Sequence, residues 1–180
     1  MSTLARAIGA RRLQLVIGDI TREQVDAIGN AANQRLRGGG GVDGAIHAAA
    51  GPGLLEELRR RYPDGTPTGS AVATAGHDLP ARWVIHAVGP IWRGGSQGEA
   101  DLLAAAYRAS LRVADELGAR SLALPAISMG IYGYPADEAA TIAVGTVSEV
   151  LAKPSALEVV RFVLRPGTWD AFASALAGRE

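Results

Sequence analysis

Apolar and polar positions switch period repeatedly along this chain. Residues 13–17 (LQLVI) and 25–29 (VDAIG) read as strands, the first closed by Gly18-Asp19. Helical spacing then takes over at 42–50 and again at 52–62, where Leu54, Leu55 and Leu58 share one face. Strands are expected at 70–75 (SAVATA) and 83–88 (WVIHAV), and a long amphipathic helix at 99–117, stopped by Gly118. A strand buried on both faces at 121–125 (SLALP), a helix at 135–152, a strand at 158–164 and a helix at 168–177 complete the series. Strands alternating with helices predict an α/β domain with a largely parallel central sheet covered on both faces. Residues 1–12 show no such pattern and read as an N-terminal extension of a single domain spanning 1–180.

In an open sheet of that kind a ligand sits beyond the carboxyl ends of the strands. The segments to inspect are therefore Gly18-Asp19-Ile20, residues 30–44, Gly89-Pro90 and residues 126–133. Residues 30–51 (NAANQRLRGGGGVDGAIHAAAG) are the densest in chemistry. They hold Asn30, Asn33, four glycines from Gly38 to Gly41, Asp43 and His47 in one turn-and-helix unit. A glycine-rich turn entering a helix exposes N–H groups that have no intrahelical acceptor, and with the helix dipole these favour an anion. Val42, Ile46 and Ala49/Ala50 are spaced for one face of that helix. Asp43 admits a bland reading, a first-turn acid that stabilises its own helix, beside a functional one.

Residues 128–133 (SMGIYG) repeat the logic, following a buried strand and preceding the helix begun by Pro135. With no lysine nearby, phosphate there would be held by backbone N–H groups and hydroxyls, not by a P-loop lysine. Two facing cradles suit a diphosphate. Asp19 offers an acceptor for an exocyclic amine such as adenine N6, or else it caps a turn at Gly18-Asp19-Ile20-Thr21.

Composition narrows the chemistry. The 180 residues carry 18 basic and 18 acidic side chains, so net charge does not point to nucleic acid or to an acidic membrane. With no cysteine, thiolate catalysis and cysteine zinc sites are excluded. The start of the chain lacks a signal-like apolar stretch and no segment reaches transmembrane length, so a cytoplasmic protein without membrane contact is expected. His47, His77 and His86 show no metal-ligand spacing; His47 and His86 lie in apolar stretches and read as packed side chains. Neither a metal nor a cofactor is expected. GGGVDG at 39–44 satisfies the dinucleotide fingerprint literally but follows no apolar strand. AISMG at 126–130 looks like a nucleophile elbow, yet the last histidine, His86, precedes Ser128, the wrong order for that hydrolase class.

Taken together, Gly18-Asp19-Ile20-Thr21, Asn30-Ala31-Ala32-Asn33, the 38–51 segment, Pro67-Thr68-Gly69, Val84-Ile85-His86 with Val88-Gly89-Pro90, and residues 124–135 resemble macrodomains of the MacroD type. The resemblance spans about residues 13–177. It implies a three-layer α/β/α fold with a mixed sheet of six or seven strands and a cleft for ADP-ribose. It also implies a monomeric hydrolase of ADP-ribosyl esters, acting on mono-ADP-ribosylated Asp/Glu side chains of proteins and on O-acetyl-ADP-ribose. ADP-ribosylated nucleic-acid ends are a further substrate class among such proteins, and others bind ADP-ribose without cleaving it.

By position, Asp19 would take the adenine amine with the Ile20 backbone beside it. Asn33 would hold the distal ribose, and Asp43, with Asn33, would be catalytic. Gly40, Gly41 and Val42 would line one side of the diphosphate and Ser128, Gly130, Ile131 and Tyr132 the other. Two positions depart from the pattern. Gly29 replaces a branched apolar residue, which should soften its strand, and Thr66 stands where a cysteine often occurs.

Overall fold

The computed structural model describes residues 2–179. Seven strands form one sheet: β1 (Thr3–Ile8), β2 (Arg11–Ile17), β3 (Ala27–Ala31), β4 (Ala71–Ala75), β5 (Trp83–Ala87), β6 (Ser121–Leu124) and β7 (Val159–Leu164). Their spatial order is β1-β2-β7-β6-β3-β5-β4. The five inner strands run parallel, while β1 and β4 pair antiparallel at the two edges. Five α-helices lie among the described residues: α1 (Gly41–Ala50), α2 (Pro52–Arg61), α3 (Glu99–Glu116), α4 (Ala136–Leu151) and α5 (Pro166–Ala177).

Side-chain alternation along the strands builds two cores, one on each face. Leu122, Leu124, Ile85 and Phe162 point to the layer of α3, α4 and α5, with Tyr107, Val144 and Phe172. Ala123, Val84, Ile28 and Val163 point the other way, toward Ile46 of α1 and Leu54 and Leu58 of α2. An aromatic trio fixes the first core: Tyr107 stands edge-on to Phe162 at 5.8 Å, and Phe162 meets Phe172 at 4.9 Å. This is the largely parallel sheet covered on both faces that the alternating pattern predicts, and the three-layer sandwich with a mixed sheet that the resemblance implies.

Three expectations need correction. The segment read as an extension forms β1, a hairpin partner of β2 whose outward positions are mostly exposed, so its apolar signal is weak. The second strand lies two residues later than expected, at Ala27–Ala31, which places Asn30 in the sheet instead of in the turn. Its shift follows from pairing: Ala27 to Ala31 run alongside Trp83 to Ala87 of β5. Gly29 leaves room for a neighbour. A Cβ there would stand 2.8 Å from Leu124 Cδ2 and 3.2 Å from Pro125 Cδ, so Leu124 fills the volume that a branched residue would take. The third correction concerns α1, whose buried residues are Asp43, Ile46 and Ala50, with Val42 half-buried and Ala49 exposed. The acid, not the valine, lies on the inner face.

Candidate active site

The inward aspartate is the starting point. Asp43 is 6% exposed in the first turn of α1, where a carboxylate needs partners. Asn30 of β3, fully buried, donates from Nδ2 to Asp43 Oδ1 at 2.8 Å. The same nitrogen lies 3.1 Å from His86 Nδ1, directly across the β3–β5 pair. On its far side His86 Nε2 meets Thr74 Oγ1 of β4 at 3.0 Å. Thr74 Oγ1 donates to the Ala75 carbonyl, so it accepts from His86 Nε2–H. That assigns the tautomer: His86 Nδ1 carries the lone pair and takes one Asn30 hydrogen, while Asp43 takes the other. Burial first, then the neighbouring His47, pushes the His86 pKa down to about 3, against the opposing pull of Asp43 and Glu57. A neutral imidazole thus orients an amide that orients the acid.

His47, one helical turn along α1, brings Nε2 to 3.4 Å from the same Asp43 Oδ1. Oδ1 is therefore occupied, and Oδ2 lies toward Gly39 and the Asn33 amide. Asn33 donates to the Gly38 carbonyl at 2.9 Å, and its Oδ1 is buried with no hydrogen-bond partner. A buried acceptor left open beside a cleft calls for a donor from a ligand.

The cleft has a volume of about 560 Å³ and runs between two loops beyond the carboxyl ends of β3 and β6. Gly40, Gly41, Val42, Asn33 and Asp43 line one wall, and Ser128, Gly130, Ile131 and Tyr132 the other. Among the described residues, the backbone hydrogen bonds inside the second loop are Gly133 N to Gly130 O and Tyr134 N to Ser128 O. Among the described residues, the N–H groups from Ser128 to Tyr132 have no acceptor, and neither do those from Gly39 to Asp43 at the start of α1. Both walls are N–H cradles.

The second loop is braced from behind. Tyr107 of α3 accepts from Ile127 N at 2.9 Å and donates to the Pro125 carbonyl. Ser128, at φ +66°, donates its hydroxyl to the Pro90 carbonyl at 2.7 Å, and Trp92 N donates to Tyr132 O. Its proton is thus committed inside the protein. A non-glycine residue at that φ is held there at some cost, as happens at ligand clamps. Gly89 makes this brace feasible, since any Cβ there would overlap Ser128 Oγ and Ile127 Cγ2.

Asp19 and Ile20 stand apart from the cleft lining. Asp19 is exposed and caps a single 3-10 turn (Ile20–Arg22), its Oδ1 accepting from Thr21 N at 3.0 Å and Thr21 Oγ1 at 2.7 Å. The Thr21 hydroxyl, then its N–H, hold the Asp19 carboxyl below the usual carboxylate range. The capping geometry uses one oxygen and leaves Oδ2 outward. Among the described residues no cluster of three or more His, Cys, Asp or Glu side chains suits a metal ion. No helix among them is long and apolar enough to cross a membrane.

Asn30, His86 and Thr74 carry functional weight that the linear reading did not assign. In the sequence Asn30 is one of two carboxamides and His86 reads as a packed side chain; Thr74 gives no signal until β4, β5 and β3 lie side by side.

A three-layer sandwich with an acid at a glycine-rich helix start and a facing N–H loop defines the macrodomain class. The family model described as Macro domain matches residues 29–143. A macro domain-containing protein of Streptomyces nogalater is 54% identical over 169 residues, covering 91% of each chain. One from Cupriavidus necator is 55% identical over 158 residues, covering 87% of this chain and 91% of its own. The Oceanobacillus iheyensis macrodomain with ADP superposes with a TM-score of 0.92 at 40% identity, over 98% of this chain and 96% of that one. The Trypanosoma brucei macrodomain in complex with ADP-ribose gives 0.84 at 40% identity, over 91% of this chain and 68% of that one. The chain belongs to the macrodomain family.

Proposed function

We propose that this protein binds ADP-ribose and hydrolyses its esters, releasing mono-ADP-ribose from Asp/Glu side chains and from O-acetyl-ADP-ribose. The observation that carries the reading is Asp43, buried, pinned on Oδ1 by Asn30, and lining the cleft between two N–H cradles. The cradles take the diphosphate, Asn33 Oδ1 accepts from a distal ribose hydroxyl, and Asp19 Oδ2 accepts from the adenine amine. Relatives whose structures hold ADP and ADP-ribose support the ligand.

In the reaction, one water is added across the ester, yielding a free ribose hydroxyl and a carboxylic acid on the acceptor. Asp43 orients that water or a ribose hydroxyl and takes up its proton, while the N–H groups stabilise charge on the diphosphate side. Immobilising Asp43 through Asn30 and His86 reduces the reorganisation that the step requires.

The test is release of free ADP-ribose from a Glu-linked mono-ADP-ribosylated protein and from O-acetyl-ADP-ribose, with wild type and Asp43→Ala. A positioned base contributes roughly 10²–10⁴-fold. The variant should lose that much turnover and keep its affinity for ADP-ribose, because the cradle donors belong to the backbone. Binding without release by wild type would make the protein a reader instead.

A further inference from the structure

A second hollow of about 600 Å³ adjoins the cleft and shares Asn33, Gly89 and Tyr132 with it. The shared Asn33, proposed above for the distal ribose, puts its opening at that end of the cleft. Its wall carries three arginines, Arg35, Arg37 and Arg93. Among the described residues none of the three pairs with a carboxylate. Arg37 donates from Nη2 to the Pro63 carbonyl at 3.0 Å, while its Nη1 is buried without any partner. The one acid in the wall, Glu99, is 1% exposed and accepts from the N–H groups of Arg93, Gly95 and Gln97. Its oxygens are consumed in folding the 93–97 loop. Three guanidinium groups against one enclosed carboxylate leave the hollow positive in a chain whose formal net charge is zero.

We infer that this hollow is the acceptor subsite, taking a polypeptide segment whose acidic side chains flank the ADP-ribosylated glutamate. The inference rests on the hydrolase reading for the identity of the linkage, and it extends that reading from the ADP-ribose to what carries it. Guanidinium groups match carboxylates in a two-pronged geometry, and an unfilled buried donor on Arg37 gains from such a partner. Apolar surface at Ile91, 46% exposed, and at Leu102 suits peptide side chains beside the acids. A nucleic-acid strand would be expected to find stacking platforms and a continuous basic track. Here Tyr132 is the single aromatic in the wall, and its three arginines sit among apolar and neutral side chains apart from the enclosed Glu99. The geometry favours a short acidic peptide.

The experiment uses Glu-linked mono-ADP-ribosylated peptides of equal length flanked by Asp/Glu, by Ser/Gly or by Lys. O-acetyl-ADP-ribose, which has no chain beyond the ester, and an ADP-ribosylated phosphate-ended oligonucleotide are run beside them. Wild type and the Arg35→Glu/Arg93→Glu double variant are compared, since neither side chain lines the ADP-ribose cleft. The acidic peptide should show a KM roughly three- to tenfold below the neutral one at low salt, narrowing as salt screens the charges. The double substitution should abolish that difference and leave kcat/KM for O-acetyl-ADP-ribose within about twofold. Affinities of the same peptides relative to free ADP-ribose give a second readout that needs no turnover. Absent hydrolysis with the acidic preference intact in binding would overturn the enzyme reading and keep the subsite. Equal affinities for acidic and neutral flanks would overturn the subsite, as would a loss shared by O-acetyl-ADP-ribose. An effect confined to the oligonucleotide would assign the hollow to nucleic acid and overturn the peptide.

Discussion

At the scale of single residues the decisive group is a histidine that never touches the cleft. His86 is fully buried, neutral and paired on both ring nitrogens, so the amide of Asn30 has one way to point. Its low pKa has a cost that can be measured. Below pH 6.5 the unfolded chain takes up a proton at His86 that the folded chain refuses until about pH 3. The unfolded state binds more protons across that window, so stability falls as pH drops through it, by up to about 1.4 kcal/mol per unit. The charged or titratable neighbours are His47, Asp43 and Glu57, and the two acids oppose the shift. Between pH 7 and pH 5, wild type should lose about 2 kcal/mol more than His86→Gln in urea denaturation. Parallel pH dependences in the two proteins would contradict a neutral His86.

Among the elements, the loops are built by their neighbours more than by themselves. The Ile127 N–H points at Tyr107 of α3, and removing that oxygen leaves a buried donor without an acceptor. Tyr107→Phe should therefore cost about 1–3 kcal/mol in the denaturation midpoint and weaken ADP-ribose binding through the loosened loop. An unchanged midpoint would mean that the loop holds its shape unaided. This is also where the sequence ceases to be legible. Period and turn residues place α3, α4 and the parallel strands other than β3 closely, because each has a long or fully buried apolar run. They miss β1, which alternates too weakly at an edge, and they set β3 two residues early, because Gly29 and Asn30 look like turn residues. The cradle residues from Gly40 to Asp43 and from Ser128 to Tyr132 were readable, since glycines after strands have few other uses. The chain from Asp43 to Thr74 was not readable, because its members come from four elements and no local pattern records which strands are neighbours.

At the scale of the whole molecule, the proposed ligand would be coupled to the fold through the two cradles, which hang from adjacent strands, β3 and β6. Bound ADP-ribose would bridge loops that the protein joins only from behind. At a ligand concentration about a hundredfold above Kd, binding should add about 2.7 kcal/mol of stability. For a chain of this size that corresponds to a Tm rise of roughly 5–10 °C. EDTA should leave the rise unchanged, as the proposed grip on the diphosphate uses peptide N–H groups and no metal. A rise abolished by chelation would point to a metal in the grip.

The order of strands has a consequence for how the molecule is made. The hairpin of β1 and β2 meets the rest of the sheet through β7 alone, and β7 is residues 159–164. Every residue assigned to the cleft walls between Asn33 and Tyr132 has been synthesised before then. Yet until β7 is made the sheet stays in two unjoined parts, the β1-β2 hairpin with Asp19 at its end and the β6-β3-β5-β4 set that carries both walls. That strand is the clasp: it joins Asp19 to the walls and adds Val163 and Leu164 to the cleft lining, so a nascent chain that lacks it carries both cradles apart from the residue proposed for the adenine.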